Sequence, residues 1–122
     1  MIPLLIVDDE SIIRETIAAM LRRKYPDQFH IFLASNGQEA LSLVASENVE
    51  LVLADIKMPV MDGIEALKEI RRYTAELPVI MQTAYAFDTD RRTAEEAGCN
   101  GFITKPVMPR ELKMYLDKYL NK

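Results

Sequence analysis

The chain has 122 residues, enough for one hydrophobic core and too few for two. An apolar share of 49% and a charged share of 28% are those of a globular protein, and a net charge of -4 argues against a general nucleic-acid surface, which needs Lys and Arg gathered on one face. Cys99 is the only cysteine and His30 the only histidine, which excludes an internal disulfide and leaves zinc without its usual ligands.

The opening apolar run Leu4 to Val7 reads as a strand, and Asp8 and Asp9 break it too early for a signal-peptide core. No apolar stretch reaches membrane length, so the expected location is cytoplasmic. Ile13, Ile17, Met20 and Leu21 then repeat at helical spacing. Ile31 to Ala34 is a second strand, with His30 on a partly exposed face. Asn36 followed by Glu39 resembles a capping pair before a helix carried by Leu41, Val44 and Ala45. Val49 to Ala54 is a third strand. Pro59 stops strand character, Asp62 and Gly63 make the turn into a third helix with Ile64, Leu67 and Ile70 inward, and Met58 and Met61 pack in the loop. Val79 to Met81 is a fourth strand. Asp88 to Ala97 is polar except for Ala94 and Ala97, yet a cap at Asp88 and a stop at Gly98 mark it as a helix. Cys99 lies between Gly98 and Asn100, an inert thiol in a turn. Phe102-Ile103 is the fifth strand, and Leu112, Leu116, Tyr119 and Leu120 stripe the last helix.

Several of these strands are continuously apolar, as in sheets covered on both faces. Strand and helix alternate five times, and right-handed crossovers then give a three-layer α/β sandwich with a parallel sheet. Its functional crevice lies beyond the carboxyl ends of the strands. There the sequence places Asp8 and Asp9, Asp55, Thr83 and Lys105. Two carboxylates ~5 Å apart at an effective dielectric near 20 repel by roughly 3 kcal/mol, so three at one rim call for a counter-charge. Hard oxygen ligands without His or Cys point to Mg²⁺, or Mn²⁺ in its place, and such an ion suits phosphoryl chemistry.

The segments LLIVDDE, LVLADIKMPVMDG, PVIMQTAY and AGCNGFITKP resemble, in order and spacing, the signature segments of response-regulator receiver domains. The resemblance runs from Ile2 through the last helix and implies one receiver domain over residues 1–122, flavodoxin-like, with strand order 2-1-3-4-5. It implies that Asp55 is the phosphoacceptor, that Asp9 and Asp55 ligate Mg²⁺ directly with the Lys57 backbone carbonyl, and that Asp8 acts mainly through water. Lys105 would hold the phosphoryl oxygens, Thr83 would bond one of them, and Phe102 would be the aromatic partner of Thr83 in the switch. Pro106 resembles the family's cis-proline. Lys57 and Tyr85 stand where the family modulates dephosphorylation, and both are expected to shield the phosphorus from water. The implied partner is a sensor histidine kinase or a histidine phosphotransfer protein, with neither nucleic acid nor membrane bound by this domain and homodimerisation on phosphorylation compatible with it.

Three rivals are weaker. A phosphatase with an Asp nucleophile usually carries a second Asp two residues on, where this chain has Lys57. A nucleotide-binding domain needs a Gly-rich loop after a strand, and DDES follows the first one. A pseudo-receiver would lack site residues, and every expected one is present. The chain is therefore read as a signalling domain that catalyses its own phosphorylation and dephosphorylation, not as an enzyme acting on other substrates.

Overall fold

The computed structural model describes residues 1–84 and 88–120, the side chain of Asp88 excepted. Ten elements alternate: β1 Ile2–Val7, α1 Ser11–Lys24, β2 Phe29–Ala34, α2 Gly37–Glu47, β3 Leu51–Asp55, α3 Gly63–Tyr73, β4 Val79–Thr83, α4 Asp88–Glu96, β5 Gly101–Thr104 and α5 Pro109–Leu120. The strands form one parallel sheet in the order β2-β1-β3-β4-β5. Both expectations, the sandwich and the strand order, hold.

Alternation along each strand divides the core in two. Leu5, Val7, Val52, Ala54, Val79 and Met81 face α2, α3 and α4, whereas Leu4, Ile6, Leu51, Leu53, Ile80 and Ile103 face α1 and α5. Burial on both sides explains why β3 and β4 read as continuous apolar runs, while β2 at the sheet edge is only partly covered along its middle. The other edge, β5, is sealed by α5: Phe102 N donates to the Tyr115 hydroxyl at 3.2 Å, and the Tyr119 hydroxyl donates to the Asn100 carbonyl at 3.1 Å.

Local chemistry fixes the helix starts. Asn36 accepts from Glu39 N at 2.9 Å, but Glu39 turns back to Ser35 N and Oγ, so the capping pair is only half reciprocal. The full capping box is at α3, between Asp62 and Glu65. Strand β3 begins at Leu51 and not at the expected Val49, because α2 ends in a left-handed Asn48 and the chain first straightens where Glu50 N reaches Pro3 O. Helix α4 begins at Asp88 itself and ends one residue before Ala97, ahead of Gly98 at φ 100°. The expected cap at the Asp88 side chain lies outside the described residues. On α4, Ala94 is fully buried against the core.

Candidate functional site

The C-terminal ends of β1, β3, β4 and β5 carry the charged cluster. Asp8 and Asp55 are buried, Asp9 is exposed, and one oxygen of each lies within 4.8 Å of the others. Lys105 reaches over from the end of β5 and bridges the two buried carboxylates, its Nζ 2.8 Å from Asp8 Oδ2 and 3.1 Å from Asp55 Oδ2. Backbone bonds place these groups. Lys105 N donates to Thr83 O at 2.7 Å, Ile56 N to Gln82 O at 3.0 Å and Gly63 N to Ile56 O at 2.9 Å, which folds the loop after β3 against β4 and the start of α3. A Cβ at Gly63 would strike the Asp55 carbonyl, so close approach of the backbone requires glycine there. The Lys105-Pro106 bond is cis, as the resemblance implied.

Asp8 is held from three sides. Its Oδ1 accepts from Glu10 N at 2.9 Å, its carbonyl accepts from Arg14 Nη1 at 2.6 Å, and its own N–H donates to Ala34 O at 3.1 Å. Burial pushes the Asp55 carboxyl above its ordinary value, and the hydrogen bond and charge of Lys105 offset part of that rise while the Asp8 charge adds to it. Burial on its own would lower the Lys105 ammonium, but its close contact with Asp8, its hydrogen bond to Asp55 and the charges of both together raise it. The cluster is thus a lysine held charged between carboxylates.

The donor set fits a hard divalent cation. It offers three carboxylates and no nitrogen or sulfur ligand. Among the described residues no donor is aligned on the buried Asp8 Oδ2; the Lys105 ammonium stands at ion-pair distance but off the hydrogen-bond direction. An acceptor so placed has lone pairs left for a metal.

A cavity of about 220 Å³ opens among Asp9, Asp55, Lys57, Thr83 and Lys105, room for a phosphoryl-sized group at the one place where these charges converge. A larger groove of about 410 Å³ between α2 and α3, around Leu41, Val44 and Tyr73, has no such convergence. Thr83 is fully buried at the end of β4. Phe102 is buried on the α4 face of the sheet with the Arg91 guanidinium 5.2 Å from its ring centre.

The Lys57 amide donates to Asp55 Oδ1 at 3.4 Å, which ties the loop after β3 to that carboxylate. Its side chain, 68% exposed, goes elsewhere: Nζ pairs with Asp90 on α4 at 3.9 Å. Tyr85 lies outside the described residues. Cys99 is half-buried and burial pushes its thiol up, consistent with an inert turn residue. His30 is exposed and stacks on Phe32 at 4.4 Å. Met58 packs on the core and the Met61 carbonyl accepts from Gly37 N, the loop roles expected of both.

Sequence reasoning missed Arg14, Asp90, Arg91 and, above all, Gln82. Gln82 is 0% exposed in β4, and neither end of its amide has a partner among the described residues. Leaving such groups unpaired costs about 1–3 kcal/mol each. The signal was there in VIMQT, a polar amide inside an otherwise apolar strand.

Residues 4–117 match the response regulator receiver domain. The chain belongs to that family. A curated relative, the transcriptional regulatory protein SrrA of Staphylococcus aureus, is 38% identical over 119 residues, which is 98% of this chain and 48% of that protein. The chain therefore spans about half the length of the curated relatives it matches. Among solved structures, the CheY-like receiver domain protein of Methanospirillum hungatei superposes with a TM-score of 0.89 at 30% identity, covering 99% of this receiver and 94% of that one. The Saccharomyces cerevisiae Ssk1 receiver domain, solved with the histidine phosphotransfer protein Ypd1, gives 0.86 at 30% identity over 97% of this chain and 88% of that one. Two-component signalling is the setting of this receiver. Among the described residues, no helix is long and apolar enough to cross a membrane.

Proposed function

We propose that this receiver takes a phosphoryl group onto Asp55 from the phosphohistidine of a sensor kinase or histidine phosphotransfer protein, with Mg²⁺ held by Asp8, Asp9, Asp55 and the Lys57 carbonyl. The observation that carries the reading is the Lys105 bridge between Asp8 and Asp55 at the mouth of a cavity. A cation bound there would neutralise the carboxylates and the charge on the transferring oxygens. An Asp55 oxygen forms the new bond to phosphorus as the bond from phosphorus to the imidazole nitrogen breaks. Lys105 keeps its charge through the transfer and pairs with a phosphoryl oxygen, and the Thr83 hydroxyl donates to another. Water later cleaves the acyl phosphate at the same place and restores the carboxylate. The domain catalyses both steps on itself.

Thr83 and Phe102 would carry the state of Asp55 outward, Phe102 leaving its place beneath Arg91 as Thr83 is drawn to the phosphoryl group. A helical partner suits the surface around the site. Exposed Ile12, Val60 and Met108 follow β1, β3 and β5, and an apolar groove of about 330 Å³ runs along Ile13, Ile17, Pro106 and Val107 beside Lys105. The complex of the related Ssk1 receiver with Ypd1 supports a partner of this kind. A cytoplasmic site of action, with output passed to other parts of a regulator or to a second copy of the receiver, completes the reading.

The test is intact-mass analysis after treatment with a small phosphodonor and Mg²⁺. One phosphoryl group is expected on the wild type and none on Asp55→Asn; equal modification of both would overturn the assignment.

A further inference from the structure

Gln82 stands beside Asp55 in the sheet. The two are register partners across β3 and β4, and Gln82 pairs on its other side with Ile103, two residues before Lys105. Adjacent strands are about 4.8 Å apart and side chains two residues apart share a face. Gln82 therefore lies on the α1 and α5 side with Ile80 and Ile103, under the path that the Lys105 arm takes toward Asp55 and Asp8. Its backbone carbonyl is used, accepting from Ile56 N at 3.0 Å, but its amide side chain is wholly buried with both ends unpartnered among the described residues. A Met or Leu would fill the same space without that cost, so packing gives no reason for an amide here.

The Lys105 ammonium has three N–H donors, and in this state it leans on two carboxylate oxygens. Those same oxygens belong to the cluster that fits a divalent cation. A cation and an ammonium compete for Asp8, and the ammonium is the mobile partner. Once it leaves Asp8 Oδ2 it needs a replacement acceptor that is close to Asp55 and uncharged, since another carboxylate would hold it back from phosphoryl oxygens. On the reading of the rim as a cation-dependent phosphoacceptor site, we propose that Gln82 is a positioning residue: its side-chain carbonyl receives the Lys105 ammonium when the cation takes Asp8, and so keeps that charge beside Asp55. With the Lys105 ammonium engaged by Asp8 Oδ2 and Asp55 Oδ2, the Gln82 carbonyl has no donor to receive among the described residues.

A double-mutant cycle on Mg²⁺ affinity, measured by calorimetric titration of unphosphorylated protein, tests this. Gln82→Met is expected to weaken Mg²⁺ binding about fivefold to tenfold, the scale of one net hydrogen bond, while the ion-free protein becomes more stable to urea. In the Lys105→Met background the same change should leave affinity within twofold. An unaltered affinity in Gln82→Met, or an equal loss with and without Lys105, overturns the proposal. A second measurement needs only wild-type protein: the nuclear Overhauser contact between the Gln82 amide protons and the Lys105 ε-methylene should strengthen on Mg²⁺ addition, and one that stays constant or weakens overturns the proposal as well. Neither readout involves phosphate. Failure of Asp55 to accept a phosphoryl group would therefore sink the functional reading separately from the role of Gln82.

Discussion

Removing the Lys105 charge should expose how much of this fold's stability is spent holding carboxylates together. In Lys105→Met, two attractions disappear, at 2.8 Å to Asp8 and 3.1 Å to Asp55. At an effective dielectric near 20 these are worth about 6 and about 5 kcal/mol, while the repulsion of roughly 3 kcal/mol between carboxylates within 4.8 Å of each other remains. The absent ammonium returns several kcal/mol of desolvation, which leaves an expected loss of about 3–5 kcal/mol in ion-free protein near neutral pH. Mg²⁺ should restore more in the variant than in the wild type, because no ammonium then has to be displaced from the carboxylates. The pH dependence has a definite sign. A carboxyl whose folded value is raised contributes stability in its protonated form, present below the ordinary 3.8 and lost as pH rises through the folded value. Without Lys105, which pulls Asp55 downward, that loss is larger and extends to higher pH, so the deficit of the variant should shrink as pH falls toward 4. The assay is urea unfolding from acid to neutral pH, with and without Mg²⁺. A deficit below about 1 kcal/mol at pH 7, or an equal Mg²⁺ gain in both proteins, would refute the reasoning.

Asp9→Ala should weaken Mg²⁺ binding more than Asp8→Ala, but the two should differ in ion-free stability too: Asp9 is exposed, whereas Asp8 is the closest partner of Lys105, so only Asp8→Ala should lower the urea midpoint. Calorimetric and urea titrations of both variants check this, and equal effects would contradict the division of roles. Gly63→Ala should cost about 1–3 kcal/mol and slow phosphorylation by small donors, because its Cβ would strike the Asp55 carbonyl and sit 2.7 Å from Met81 Cε. A variant with unchanged midpoint and rate would show that the loop yields freely. With Lys57 paired to Asp90 on α4, Asp90→Ala should free that ammonium for the phosphoryl group and slow dephosphorylation, while Lys57→Asn should speed it. Decay of the phosphoprotein after donor removal measures both, and identical half-lives would take Lys57 out of the mechanism.

The alternation of apolar runs with helical stripes was enough to place ten elements, because much of what marks them is local, as where Asn36 caps through Glu39 and Asp62 through Glu65. Asp8, Asp55, Thr83 and Lys105 were legible for a related reason. In a parallel sheet every strand ends on the same rim, so polar residues after apolar runs must gather there whatever lies between them. Two boundaries shifted by one or two residues: left-handed Asn48 delays the start of β3, and α4 ends before Ala97, ahead of left-handed Gly98. What only the tertiary structure decided is reach and direction between strands distant in sequence. Nothing in the order of residues says that the Lys105 arm bridges Asp8 and Asp55, that Lys57 turns to Asp90 on α4, or that Arg91 covers Phe102. Gln82 is the clearest case. Its neighbours Asp55 and Ile103 are 27 and 21 residues away, and β4 must pair with both strands before its side chain is enclosed. An amide in an apolar strand is visible in the sequence, but whether it finds a partner depends on the faces of three strands at once, and that is a property of the folded sheet.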